Sequence, residues 1–146
     1  MPEGKTMSPD AAESAVPYEF PVERGAIRLF AEAMQSDDPA YFGATPLVPP
    51  TFLITAWRWA PDGGRAAHGI PRERLLHGEQ EFVFHGAPPR AGDTLTVTER
   101  VSDRYTKDSR SGKMEFVVIT TEFHGDGVLR AEMRSTFIGR EPKGSK

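Results

Sequence analysis

Residues 51–59 read Thr-Phe-Leu-Ile-Thr-Ala-Trp-Arg-Trp, an almost wholly apolar run. Such a run fits a buried strand or a buried helix, and periodicity alone does not separate the two. Pro49-Pro50, directly before it, favours a helix, because proline at or just before the first helical turn forfeits no backbone bond. The β-branched Thr51, Ile54 and Thr55 keep a strand open as the alternative. The fold turns on this reading. As a helix the run covers a sheet; as a strand it joins one.

Downstream, four runs carry strand periodicity: 75–85, 93–105, 113–123 and 128–138. Leu95, Val97 and Val101 alternate with Thr94, Thr96 and Thr98. In the third run Val117, Ile119 and Thr121 face one way and Phe116, Val118 and Thr120 the other. Both sets are largely apolar, which marks a central strand. Leu129, Ala131, Met133 and Phe137 alternate with Arg130, Glu132, Arg134 and Thr136. Turn signals separate the runs at 88–93, 109–112 and 125–127. The pattern predicts a four-strand antiparallel meander joined by hairpins. Such a sheet must bury one face, and residues 51–59 are the obvious cover.

Upstream, Val22, Ala26, Leu29, Phe30, Ala33 and Met34 recur at helical spacing among charged residues, predicting a surface helix with one buried stripe. It should end near Gln35, since Pro39 disfavours helix at the residue before it and Asp37-Asp38 suit a turn. Tyr18 to Pro21 fit a short strand or an extended lead-in. Residues 1–17 read as a flexible arm and 141–146 as a flexible tail, leaving 18–140 as one domain. Residues 60–73 read as a long mobile connection.

With 146 residues, 38% hydrophobic and 27% charged, the chain is expected to be one soluble globular domain. A net charge of −3 with mixed signs gives no nucleic-acid footprint. No apolar stretch is long enough for a membrane helix and no secretory signal opens the chain, so a cytoplasmic location is expected. There is no cysteine, and the four histidines share no ligand spacing, so no metal site is expected. Neither a nucleophile elbow nor a phosphate loop is present.

Taken in order, "DDPAYF" (37–42), "LVPPTF" (47–52), "LLHGEQEFVFH" (75–85) and "PPRAGDTLTVTERVSDRYTKDSRSGKMEFVVITTEF" (88–123) resemble one family. It is the N-terminal-type module of MaoC-like dehydratases. The likeness is to non-catalytic-type subunits of mycobacterial (3R)-hydroxyacyl-ACP dehydratases and to the first halves of two-module acyl-CoA hydratases. It covers about residues 18–140. It implies an α+β hot-dog fold, a long antiparallel sheet wrapped around a central helix. It further implies a homodimer or a heterodimer with a second hot-dog protein. The implied ligand is an acyl thioester on the pantetheine arm of acyl-CoA or acyl-ACP, with no separate cofactor.

The catalytic form of the family carries an Asp-x-Asn-Pro-x-His motif after its first helix. Aligned on Pro39, this chain has Ser36 at the Asp position, Asp38 at the Asn position and Tyr41 at the His position. A tyrosine, with a pKa near ~10, is a poor proton acceptor at neutral pH. Asp37 or Asp38 therefore reads either as a turn cap or, with Tyr41, as a pocket lining that moves no proton. Pro50, Thr51 and Phe52 open the expected helix, whose free amides and dipole would face the thioester carbonyl; a helix that merely packs is the alternative.

His77 becomes the candidate for proton chemistry, beside Gly78, which permits close backbone approach, and Gln80. Its alternative is a histidine bonded to backbone. His68, His85 and His124 read as solvated, and Trp57 and Trp59 as core or interface aromatics. Arg100, Arg104, Lys107, Arg110 and Lys113 gather on one hairpin, either a solvated tip or a docking patch for an acidic carrier or phosphates.

Three functions follow. The first is acyl-thioester binding in hydration or dehydration at C2–C3 of an enoyl or 3-hydroxyacyl thioester, as partner of a catalytic subunit or with rearranged chemistry. The second is a thioesterase, or addition of another nucleophile to an enoyl thioester. The third is a non-enzymatic acyl-chain-binding module.

Overall fold

The computed structural model describes residues 14–141. Five strands form one antiparallel sheet: β1 (Tyr18–Pro21), β2 (Leu75–Phe84), β3 (Thr94–Ser109), β4 (Gly112–Gly125) and β5 (Val128–Arg140). The order across the sheet is β1-β3-β4-β5-β2. The helical parts are α1 (Arg24–Ala33), a 3-10 helix at Phe52–Trp59, and 3-10 turns at Pro39–Tyr41 and Arg72–Arg74.

The run 51–59 is helical, but 3-10 rather than α. Eight residues is long for this tighter helix. The Thr55 hydroxyl donates to the Phe52 carbonyl at 2.9 Å, and Pro61 follows the last turn. Phe52, Leu53 and Ala56 are buried against the sheet. From α1, Ile27 and Ala31 join them. The core on that face adds Phe20, Leu95, Val97, Phe123 and Ala131, with Phe52 stacked on Phe20 at 6.0 Å. Trp57 and Trp59 are 50% and 47% exposed, so they are not core residues.

α1 ends as the sequence predicts. Gln35 adopts φ 59°, the Ser36 amide donates back to the Ala31 carbonyl at 3.0 Å, and the Gln35 amide to Glu32 at 3.0 Å. This is a Schellman closure, with glutamine in the slot glycine usually takes.

The four long strands lie where alternation placed them, but the meander is corrected. β2 pairs with β5 at the far edge, not with β3, and β1 takes the place beside β3. The connection 85–93 explains this. Its proline-rich middle is tied to residues 46–48, with Val48 N donating to Pro89 O at 3.1 Å and Ala91 N to Pro46 O at 3.0 Å. A segment anchored there crosses the molecule instead of closing a hairpin. The other two turns are hairpins. The β4–β5 turn has Asp126 and Gly127 at φ 51° and 74°, the type I′ signature. Bulges interrupt β2 at 77–79, β3 at 101–103 and β4 at 123–124, and bulges bend strands.

The expected arm and the 60–73 connection both make backbone contacts where they are described. Residues 1–13 lie outside the described residues, as do 142–146. Ser14 to Val16, however, are fastened: Ser14 bridges Arg100, Ala15 N donates to Glu99 O at 2.9 Å, and Val16 N to Gly63 O at 2.8 Å. The connection 60–73 is also held. Arg104 donates to the carbonyls of His68 and Ala67 at 3.0 and 3.4 Å, and Ile70 packs with Val101, Val117 and Ile119.

Candidate functional site

Alternation along β3 puts Leu95, Val97, Glu99 and Val101 on the covered face of the sheet, and all four are buried. Three are apolar; the third in order is a carboxylate. Across the ladder Glu99 faces Thr121, which faces Met133. One row further, Ile119 faces Ser135, which faces Gln80; then Val117 faces Phe137, which faces His77. The sheet thus carries a polar band on its otherwise apolar face. Ile54, Ala56 and Trp57 of the 3-10 helix lie over it, and between them is a cavity of ≈ 220 Å³. Tyr18 of β1 and Arg65 of the 60–73 connection complete the lining.

Glu99 is 4% exposed, yet it is not isolated. The Arg65 Nε lies 3.6 Å from its Oε2, the Tyr18 hydroxyl donates to it, and the Ala66 amide donates from the backbone. Burial is the largest influence and raises its pKa, outweighing the opposing pull of Arg65, Ala66 and Tyr18. The Tyr18 phenol is pushed up to about 12, by burial first and by the Glu99 charge second. On the other wall, the Ser135 hydroxyl donates to Gln80 Oε1 at 2.8 Å, and Gln80 Nε2 to the Arg134 carbonyl at 3.4 Å. Such a pocket offers hydrogen-bond donors, acceptors and a protonatable carboxyl beside apolar walls.

Of the residues singled out from sequence, His77 and Gln80 line this cavity. The His77 ring stacks on Phe137 at 5.2 Å, and its Nε2 pairs with the Glu79 carbonyl at 3.1 Å, the backbone-bonded state. Gly78 sits in the β2 bulge, where a Cβ would come within 2.5 Å of Ile138 Cδ1; the close approach it permits is to a side chain. Asp38 caps the 39–41 turn, accepting from Ala40 N at 2.9 Å, and Tyr41 is half-buried against the main core. The Phe52 amide is already given to the Pro49 carbonyl at 3.0 Å, so the expectation that it stands bare is corrected. Asp38, Tyr41, Pro50, Thr51 and Phe52 are not in the cavity lining.

Other expectations also change. His68 is half-buried, stacked on Phe137 at 4.9 Å, with its Nδ1 accepting from Ile70 N. Burial, then the Arg104 and Arg65 charges, hold its pKa below the usual histidine value. His85 pairs with Glu132 at 2.8 Å, which is the main reason the Glu132 carboxyl titrates low. On the basic hairpin Arg100 and Arg104 each meet a glutamate at 3.5 Å, and Lys107 lies over the Tyr105 and Phe116 rings, 5.5 and 5.2 Å from their centres.

Glu99, Tyr18 and Arg65 were not singled out from sequence. Glu99 carried a readable signal, a charge at an inward slot between Val97 and Val101. Arg65 had none, because only the folded connection brings it to β3.

Among the described residues, no group of three or more histidine, aspartate or glutamate side chains is arranged to hold a metal ion. No helix among them is long and apolar enough to cross a membrane.

An α+β fold whose antiparallel sheet packs around a helical segment and holds a pocket between the two defines a hot-dog protein. Residues 12–132 match the family model described as FAS1-like, dehydratase domain region, and the chain belongs to that family. It is 35% identical over 109 residues to a UPF0336 protein of Streptomyces griseus, covering 67% of each chain. Against the corresponding Streptomyces coelicolor protein the chain spans 62% of the relative's length.

Among solved structures, it is 29% identical to a chain of the C-terminally truncated HadBC (3R-hydroxyacyl-ACP dehydratase) complex of Mycobacterium tuberculosis. The TM-score is 0.65, covering 86% of this chain and 96% of that one. The ChsH1-ChsH2 complex of the same organism shares the fold at 19% identity and TM-score 0.70, covering 92% and 88%. The resemblance to MaoC-like dehydratases and the hot-dog fold are borne out.

Proposed function

We propose that the chain binds an acyl thioester, CoA- or carrier-linked, as the non-catalytic half of a two-hot-dog hydratase or dehydratase acting at C2–C3. The observation that carries this is segment 36–42. Tyr41 stands where the family's catalytic form has histidine and is packed against the core, while Asp38 spends its carboxylate on a turn amide. Neither is arranged to shuttle a proton to a substrate. The second hot-dog would supply that acid–base pair, and this chain the wall along which the acyl group lies. Its long edge, β2, has no strand on its outer side among the described residues and carries His77 and Gln80 at the cavity. A partner sheet added there would extend the ladder and close the cavity's rim.

The test is hydration of crotonyl-CoA, followed by loss of the enoyl absorbance. The chain alone is expected to be inactive, and mixing it with a hot-dog chain that has the intact motif to raise that chain's rate. Hydration by the isolated chain at an enzymatic rate defeats the partner role. A thioesterase reading draws on the clustering of His77 with Glu99 at one cavity. It predicts release of free CoA, read with a thiol reagent, which the hydratase reading does not.

A further inference from the structure

The cavity's wall chemistry says which acyl groups it can take. We infer that it is a specificity pocket for an acyl group bearing a hydroxyl or similar hydrogen-bonding oxygen beyond the reacting carbons, not for a plain alkyl tail; this rests on the acyl-thioester reading above.

Three observations point there. First, the polar band is buried and built: Glu99, Thr121 and Ser135 are 4%, 2% and 6% exposed, and Gln80 is fixed by Ser135 at 2.8 Å. Second, hydrogen-bonding capacity is left over. A carboxylate has about four acceptor positions, and the named donors to Glu99 are the Tyr18 hydroxyl, the Ala66 amide and Arg65. An alkyl chain pressed on this band would strip water from a carboxylate and an amide and return nothing. A hydroxyl would donate to a Glu99 oxygen and replace the bond that the band loses to water.

Third, a different surface suits alkyl groups: the groove between α1 and the 3-10 helix, walled by Phe20, Leu29, Phe30, Phe52 and Trp59. At ≈ 220 Å³ the cavity is also below the roughly 300–1,000 Å³ of most ligand pockets, so the group it takes is short.

The test uses the full chain and the fluorescence of Trp57, which lines the cavity and whose neighbour Trp59 is kept as Trp59→Phe in all samples. Hexanoyl-CoA, its C4-, C5- and C6-hydroxylated forms, decanoyl-CoA and free CoA are titrated. At least one hydroxylated form should bind about tenfold more tightly than hexanoyl-CoA, and decanoyl-CoA no more tightly than hexanoyl-CoA. Glu99→Gln, which keeps one acceptor oxygen but loses the carboxyl, should lower that ratio severalfold. If that variant fails to fold, Gln80→Met should lower the same ratio.

No gain from any hydroxyl, a preference for decanoyl-CoA, or a ratio untouched in the folded variants overturns the pocket while leaving thioester binding intact. No acyl-CoA binding above free CoA overturns the acyl-thioester reading and the pocket with it.

Discussion

One face of one sheet is divided into two unlike halves. Toward β1 and the start of β3, Phe20, Leu95, Val97, Phe123 and Ala131 meet Phe52 and Phe30 in an aromatic-rich dry core. Beyond that core the same inward slots hold Glu99 on β3, Thr121 on β4, Ser135 on β5 and Gln80 on β2. The strand period is unchanged; only the chemistry in the slot differs. The dry half secures the fold, and the polar half places hydrogen-bonding groups where burial makes them selective.

Substitutions in each half sharpen the contrast. The largest effect is expected in the dry half: Phe123→Ala, at a fully buried ring that meets Phe20 at 6.5 Å, should cost about 3–5 kcal/mol in urea unfolding. Equal loss from the polar half would erase the distinction. There, Arg65→Ala leaves Glu99 without its cation. Because the Arg65 side chain is 53% exposed, the cost should be about 1–2 kcal/mol, below that of breaking a fully buried pair.

The same carboxyl sets a pH slope. Its folded pKa is raised, so the folded chain holds the proton to higher pH than the unfolded chain. The stability this contributes is complete below the unfolded value and is lost as pH rises through the folded one. Glu99→Gln should remove that slope, so the variant gains on wild type in denaturant midpoint as pH rises from below the ordinary glutamate value through the raised folded one. A difference that stays constant as pH rises would mean that Glu99 is not titrating as a buried group.

Ser135→Ala should cost about 0.5–1.5 kcal/mol in urea, the loss of one donor to Gln80. The smallest change lies outside both halves. Gln35→Gly relieves a side chain at φ 59° and should stabilise by about 0.5–1 kcal/mol, read as a rise in thermal midpoint. A loss there would show that the Gln35 side chain makes a contact worth more than the backbone relief.

The strands were legible because side chains alternate with a period of two, and the ends of α1 because Pro39 and the Asp pair sit where a helix must stop. The polar half was half legible. His77 and Gln80 stand out as polar groups opening a strand, while the strand period alone does not mark Glu99 as a site although Val97 and Val101 flank its slot. Arg65, Tyr18 and the position of β2 were not legible. Each depends on a contact between residues far apart in sequence, and the β2 placement on a proline-rich crossing fixed to residues 46–48. Whether 51–59 winds as an α or a 3-10 helix was likewise beyond residue preference, since both bury the same apolar side.

The β2–β5 pairing joins Phe84 to Ala131 and Leu75 to Gly139. On a ribosome, β2 emerges well before its mate, and at about 5–20 residues per second the interval is about 2–13 s. Until β3 and β4 follow, α1 and the 3-10 helix have greasy sides and no sheet to lie on, and Phe82 and Phe84 of β2 wait for β5 itself. The growing chain is most open to aggregation in those seconds, and defects in the last strand should lower cellular yield out of proportion to their effect on the finished protein.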